Sequence, residues 1–330
     1  MGENGSGHPW SLAFRVREAR RVATSQFGLL TTEQLERFGV DAMGRSRMVD
    51  RGHLVSVHSG VWRVPDVAPS KRQQWLAACL AVEGAALSHH SAAAFYKLDV
   101  PELETFHVVV PRHGVRGPKG VCVHCVKTLP SQSIVRAGPF RVTRIERTLL
   151  DLAAFLDDES LQTVFDSAWL KKKVDPTQLA SQLGRARAWR RGIPRLRRAV
   201  ADAVARGRPL ESRLEVMFWR AAKANGLRPE VQVPFLDSHR PRYRLDFLFR
   251  AENLVVEMMG FSVHGTEEKF ERDAIRMARI VASGRAVLPV TYRMMKDTPE
   301  DVSRWVDEAL AVRRQRRSMG NELVGTAAPG

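Results

Sequence analysis

YRLDFLF (Tyr243 to Phe249) and LVVEMMG (Leu254 to Gly260), separated by Arg250 and the polar turn Ala251-Glu252-Asn253, carry the reading of this chain. Both segments are short, rich in branched and aromatic residues, and bounded by turn formers, which is the pattern of β-strands. In the first, alternation puts Tyr243, Leu245, Phe247 and Phe249 on one face and Arg244, Asp246 and Leu248 on the other. In the second, Glu257 ends the apolar run Leu254 to Val256. So short a turn makes the strands antiparallel neighbours, and Asp246 and Glu257 can then meet. Adjacent carboxylates repel unless a cation lies between them, and a hard ion such as Mg²⁺ takes oxygen ligands while keeping several waters. Beside a DNA phosphate such an ion polarises the phosphoryl oxygen and lowers the pKa of bound water. Asp246 and Glu257 are therefore the expected metal ligands, with Mg²⁺ as cofactor if the site is active. Glu211 or Glu215 could add a carboxylate from the preceding helix. The alternative is a solvated acidic pair at the sheet edge, although an unpaired acid buried in an apolar strand is costly.

Working outward, a helix over Leu210 to Asn225 is stopped by Gly226 and followed by a strand from Glu230 to Leu236. Beyond the central pair come a His-containing loop, a helix from about Lys269 to Ser283, a strand over Ala286 to Tyr292 and a last helix ending in RRQRR. The order is αβββαβα.

The whole chain has 330 residues, enough for two or three domains with their own cores. Lys and Arg number 52 against 36 acids, a net charge of +16, in a composition that is still 44% hydrophobic. That balance excludes a disordered chain and points to a polyanionic partner, DNA. The longest apolar stretch, Trp75 to Leu87, is short and interrupted by Glu83, so no membrane span is expected. The start, MGENGSGHPW, lacks a secretory pattern, and three cysteines cannot frame a disulfide scaffold. A cytoplasmic protein is expected.

The front of the chain reads as a winged helix-turn-helix. A helix runs from Phe14 to about Phe27 and stops at Gly28; a second starts at Thr31, where Thr31 and Gln34 have capping-box spacing. Asp41 caps a third, which carries Arg45, Arg47 and Arg51, and HLVSVHSGVWRVP (His53 to Pro65) alternates around Ser59-Gly60 as a hairpin. The third helix suits the major groove and the hairpin brings His58 and Arg63 towards the DNA backbone. The alternative is a small helical subdomain whose arginines are a solvated face. A small α/β region follows, with helices at Gln73 to Val82 and Ser88 to Phe95, strands at Phe106 to Pro111 and Val121 to Val126, and a closing helix ERTLLDLAAFL. From Asp157 to Arg206 the pattern is helical; Arg185, Arg187, Arg190, Arg191, Arg195, Arg197 and Arg198 stand between Asp175 and Asp202 with no acid, either as a solvated face or as phosphate contacts.

Residues Glu211 to Val302 resemble the restriction-endonuclease-like PD-(D/E)XK group, in the branch of very-short-patch-repair endonucleases. The resemblance rests on Glu211-Ser212, Leu245-Asp246-Phe247, Val256-Glu257-Met258-Met259-Gly260, His264, and Asp273 with Arg276, in that order. It implies a restriction-endonuclease-like fold and catalytic roles for Glu211, Asp246, Glu257 and His264. Met259 stands where the pattern has a carboxylate or lysine, and Pro289 where it has an arginine. A thioether neither binds Mg²⁺ well nor transfers protons, and loss of such a group costs about 10²–10⁴ in rate. GLLTTEQL, GVWRVP, SHHSAA, VVVPR and RTLLDLA resemble AbiEi-type antitoxins, which implies promoter binding by the winged helix and an antitoxin role for the next domain.

Three functions follow: a DNA-binding protein of toxin-antitoxin or defence type with a degraded nuclease site, a Mg²⁺-dependent endonuclease, or an antitoxin that neutralises a partner toxin. The expected layout is a disordered start (1–12), winged helix-turn-helix (13–66), antitoxin-like α/β domain (71–156), Arg-rich helical spacer (157–207), restriction-endonuclease-like domain (208–316) and disordered tail (317–330). Cys122-x-x-Cys125 with His124 is read as strand alternation rather than a zinc site, because no second ligand pair has the spacing. His89 and His90 are read as a capped helix start, and the tryptophans Trp75, Trp169, Trp189, Trp219 and Trp305 as core.

Overall fold

The computed structural model describes residues 12–185, 192–235, 243–259 and 267–325, a mixed α/β chain that divides into two compact units between Leu152 and Ala153. Among the described residues, no helix is long and apolar enough to cross a membrane.

The N-terminal unit runs α1 (Leu12–Ser25), β1 (Leu29–Thr31), α2 (Thr32–Arg37), α3 (Ala42–Asp50), β2 (Val55–His58), β3 (Val61–Arg63), α4 (Lys71–Leu80), β4 (Ala86–Leu87), α5 (His89–Phe95), β5 (Phe106–Val110), β6 (Val121–Cys125), β7 (Ile134–Ala137), β8 (Phe140–Thr143) and α6 (Ile145–Leu152). The Thr31 hydroxyl accepts the Gln34 amide at 3.2 Å while the Gln34 side chain accepts the Thr31 amide at 2.9 Å, closing the expected capping box. Gly28 has φ +81°, and a Cβ there would lie 2.8 Å from Val67, so both conformation and space require glycine. The β2–β3 hairpin forms as expected, but β1 joins it, giving the order β1-β3-β2. Three residues are too few for β1 to show a period.

The second sheet has the order β6-β5-β4-β8-β7, with β5 parallel to β6 and antiparallel to β4. Strands β4, β7 and β8 went unread in the sequence because each has four residues or fewer. Leu29 and Val61 of the first sheet share a core with Trp75, Leu76, Val108 and Val142, and Gln73 Nε2 donates to the Phe27 carbonyl at 2.6 Å. The portion that carries the first sheet and the portion that carries the second are thus packed as one body.

The C-terminal unit runs α7 (Asp158–Leu170), α8 (Pro176–Arg185), α9 (Ile193–Arg206), α10 (Arg213–Ala224), β9 (Glu230–Phe235), β10 (Tyr243–Phe249), β11 (Leu254–Met259), α11 (Glu267–Ala282), β12 (Ala286–Thr291), α12 (Tyr292–Asp297) and α13 (Pro299–Gly325). Its sheet has the order β12-β11-β10-β9, antiparallel except between β11 and β12. Pro234 and Pro289 lie on the two edge strands, where a missing amide breaks no internal ladder. Leu214, Phe218 and Trp219 of α10 pack with Phe247, Phe249, Val256, Val302 and Val306, while Ile280 of α11 packs with Phe235, Leu245, Leu248 and Val255.

Three expectations change here. Tyr243 and Leu245 belong to the α11 side and Phe247 and Phe249 to the α10 side, so strand alternation breaks at Asp246 instead of running through it. The neighbouring strand breaks with it: Val231 packs on the α10 side and Val233 on the α11 side, because Gln232 between them has φ +49°. The arginine-rich helices are not an unpaired spacer. Arg195 binds Asp158 at 2.8 Å, Arg197 donates to the Leu183 carbonyl at 2.6 Å, and Arg206, 1% exposed, bridges Asp166 and Asp202. Asp202 also accepts Trp219 Nε1 at 2.8 Å, which ties α9 to α10. The acids were missed because most lie on other helices. Arg187, Arg190, Arg191 and Trp189 lie outside the described residues. Finally, α13 continues to Gly325, past the expected start of a disordered tail at 317.

Candidate functional site

Backbone pairing places Phe247 opposite Val256 and Leu248 opposite Val255, so Asp246 and Glu257 come next in register. The Met258 amide donates to Asp246 Oδ2 at 2.8 Å and the Asp246 amide to Glu257 Oε1 at 3.3 Å. The pair expected from two strands and a turn does meet. It is not solvated at an edge: β10 and β11 are the central strands and Glu257 is 3% exposed.

A third carboxylate comes from the first turn of α10, where Ser212 is the N-cap. It is Glu215, not Glu211, that lies inside. Glu215 accepts the Glu211 amide at 2.9 Å, the Ser212 hydroxyl at 2.9 Å and Gln232 Nε2 at 2.7 Å. Glu211 stands at the margin, paired with the Arg244 guanidinium. From α11, Arg276 Nη2 reaches Glu257 at 2.6 Å, Asp246 at 3.7 Å and the Arg244 carbonyl at 2.5 Å. The sequence pattern contained Arg276 without a role; here it is the counter-ion of the pair.

Burial is the largest influence on these acids, because the charged form loses solvation. It pushes Glu257 up to about 8, reinforced by the Asp246 charge and opposed by Arg276. It pushes Glu215 up to about 7 despite its hydrogen bonds, and it raises Asp246 against the pull of the Met258 amide and Arg276. Four carboxylates, Glu211, Glu215, Asp246 and Glu257, face two guanidinium groups, Arg244 and Arg276. Fully ionised, the cluster holds two more negative than positive charges, and the like charges act with burial to raise Glu215, Asp246 and Glu257.

Gln232 was not found from the sequence. Its side chain bonds Glu215 and also holds down the pKa of Asp246, and its left-handed backbone is uncommon for a residue other than glycine, asparagine or aspartate. A polar residue between Val231 and Val233 was the available sign. Met259 follows Glu257 by two positions on β11, so the position where the resemblance has a carboxylate or a lysine holds a thioether. His264 lies outside the described residues.

In the N-terminal unit the expected DNA-facing residues separate into two sets. Arg45 is turned inward, 12% exposed, with Nη1 on Glu36 at 3.0 Å and on the Val40 carbonyl at 3.0 Å. Arg63 Nη1 is held by the Val67 carbonyl at 2.8 Å, and His58 is half-buried. Arg47 near the end of α3 and Arg51 at its C-cap are exposed. Asp41 caps α3 as expected, accepting the Gly44 amide at 2.7 Å. Cys122 lies beside His124 at 3.6 Å while Cys125 contacts the Val115 carbonyl at 3.7 Å, so the two cysteines diverge as alternation requires.

No protein-family description matches the chain, and no curated protein matches it.

Proposed function

We propose that the chain is a DNA-binding protein of toxin-antitoxin or defence type, with a restriction-endonuclease-like C-terminal domain whose site is no longer set for phosphodiester hydrolysis. The observation that carries this reading is Arg276, whose guanidinium lies between the carboxylates of Glu257 and Asp246, at 2.6 Å and 3.7 Å. A cation built into the chain meets the need that a dissolved metal would otherwise meet, and Met259 supplies no proton transfer beside it. The αβββαβα order and its mixed four-stranded sheet support the nuclease-like fold. Three helices with a β1-β3-β2 sheet support a winged helix-turn-helix, in which α3 enters the major groove. Arg47 and Arg51 then contact phosphate, while Arg45 and Arg63 fix the helix and wing that present them.

Binding of this kind weakens as salt rises, with a log–log slope of about −0.9 for each phosphate neutralised. Arg47→Ala and Arg51→Ala each lower that slope by about one, measured by fluorescence anisotropy on duplex DNA over a salt series. Arg45→Ala weakens binding through loss of folded helix position and leaves the slope nearer its parent value.

The charge surplus of the acidic cluster favours a second reading, a Mg²⁺-dependent endonuclease. The donor set is all oxygen, which suits Mg²⁺, and Asp246 and Glu257 would hold it once Arg276 withdrew. Nicking of supercoiled plasmid in Mg²⁺ and in Mn²⁺, with Asp246→Ala as control, separates the two. Our reading expects bound but uncut DNA in both metals; cleavage lost in Asp246→Ala would establish the endonuclease instead.

A further inference from the structure

The α/β portion of the N-terminal unit gathers imidazoles and a thiol from three separate elements. In the parallel β5–β6 pair His107 is opposite Cys122 and Val109 opposite His124, which puts His107, Cys122 and His124 on one face. The core side of these strands carries Val108, Val110, Val121, Val123 and Cys125 instead. His107 Nδ1 is 2.9 Å from His124 Nε2, and Cys122 Sγ is 3.6 Å from the same nitrogen. Each of the three offers a donor atom within 4.8 Å of the others. Two nitrogens and a sulfur held tetrahedrally at about 2.0–2.1 Å and 2.3 Å from one ion lie roughly 3.3–3.6 Å apart, so small side-chain movements bring these donors to ligand spacing.

The surroundings fit as well. Thr105 Oγ1 lies 3.4 Å from His107 Nε2, the outer partner that fixes which ring nitrogen is free to coordinate. The His89 ring stacks on His124 with centroids 3.5 Å apart and bonds the Ser88 hydroxyl at 3.0 Å. The His90 ring lies 5.2 Å from that of His107, and its buried Nδ1 makes no hydrogen bond. His90 and Thr105 also line a cavity of about 230 Å³, which gives water or a fourth ligand space next to the cluster.

We propose that His107, Cys122 and His124 bind one Zn²⁺ ion, with His90 or a water completing a four-coordinate site. Two imidazoles and a thiolate select a borderline metal, not the hard Mg²⁺ of the acidic cluster. In the absence of an ion the facing nitrogens of His107 and His124 must share a proton; the metal takes that proton's place and the proton moves to the other nitrogen of the same ring, so both imidazoles stay neutral. Burial holds both imidazoles neutral, at about 4, so the proton released on binding comes chiefly from the Cys122 thiol, itself raised by burial. The ion links β5 to β6, and α5 as well where His90 is the fourth ligand, and adds its binding free energy to the stability of the unit.

The test uses the full chain, stripped with a chelator and titrated with Co²⁺ as a visible probe for Zn²⁺. We expect saturation at one equivalent, a thiolate-to-cobalt charge-transfer band, and displacement by Zn²⁺ but not by Mg²⁺. Cys122→Ser abolishes that band, His124→Gln weakens binding by more than the roughly 10–100-fold attached to an outer partner, and Cys125→Ser leaves both intact. A readout without substitution is the rate of Cys122 alkylation in the parent chain, which Zn²⁺ slows while Cys79 and Cys125 react as before. Absence of saturable Co²⁺ binding, a band surviving in Cys122→Ser, or unprotected Cys122 would overturn the proposal.

Discussion

The acidic cluster on β10 and β11 and the imidazole cluster on β5 and β6 are built alike and charged differently. In each, register sets polar side chains side by side on neighbouring strands, and a helix brings further groups: Arg276 from α11 in one case, His89 and His90 from α5 in the other. The acids carry charge that must be answered, and the chain answers part of it with its own guanidinium. The imidazoles carry no charge at neutral pH and face one another through a single shared proton. Burial therefore produces a demand for positive charge at one sheet and an offer of soft donors at the other.

Their opposite responses to pH give the largest expected effect. Glu215 and Glu257 have folded values of about 7 and about 8 against an ordinary 4.5, so in that window the folded chain holds more protons than the unfolded one. Stability of the C-terminal unit then falls as pH rises from 4.5 to 8, by up to about 1.4 kcal/mol per pH unit for each carboxylate. His107 and His124 are lowered from 6.5 to about 4, so the N-terminal unit loses stability as pH falls through that range. Hydrogen exchange resolved by segment between pH 4 and 8 reads both trends. Parallel trends in the two units would break the comparison, and Glu257→Gln flattens the C-terminal one.

Next in size is the metal. Zn²⁺ at about 1,000 times its dissociation constant stabilises the N-terminal unit by about 4 kcal/mol, measured as a shift in urea midpoint, and leaves the C-terminal transition in place. Arg276→Ala follows, at about 3 kcal/mol of destabilisation at pH 8, the low end for breaking a buried pair because the guanidinium is 28% exposed. Its cost shrinks at pH 6, where protons neutralise the same carboxylates. Equal cost at both pH values would mean that Arg276 acts by packing. The smallest effect concerns Gln232. Both Gln232→Gly and Gln232→Ala lose the amide, but glycine accepts φ +49° and is more stable than alanine there by about 1 kcal/mol in thermal unfolding.

The meeting of Asp246 and Glu257 was legible because it needs only a period of two and a short turn. The caps at Thr31 and Asp41 were legible for the same reason, being set by residues three positions apart. What the sequence could not carry were relations made by packing. The break in alternation at Asp246 depends on the conformation of Gln232 in the adjacent strand. Glu215 displaced Glu211 from the interior because the helix begins at Arg213, one turn later than its apolar residues suggested. His107 was unremarked in its strand, and Cys122 and His124 looked like alternation; only the parallel pairing of β5 and β6 makes them a set. Arg45 had the right type and helix for DNA, yet Glu36 and the Val40 carbonyl turn it inward.

The route from β11 through α11 to β12 also gives the C-terminal unit an order of assembly. β9, β10 and β11 are consecutive in the chain and adjacent in the sheet, so their pairings close short loops, whereas the β11–β12 pairing closes a longer one that contains α11. Short-range closures come first on entropic grounds. In that order Glu215, Asp246 and Glu257 gather before Arg276 docks, and until it does, protons and dissolved cations are the counter-charge at hand. A refolding rate that changes with pH and ionic strength in the parent chain but not in Glu257→Gln is the expected signature.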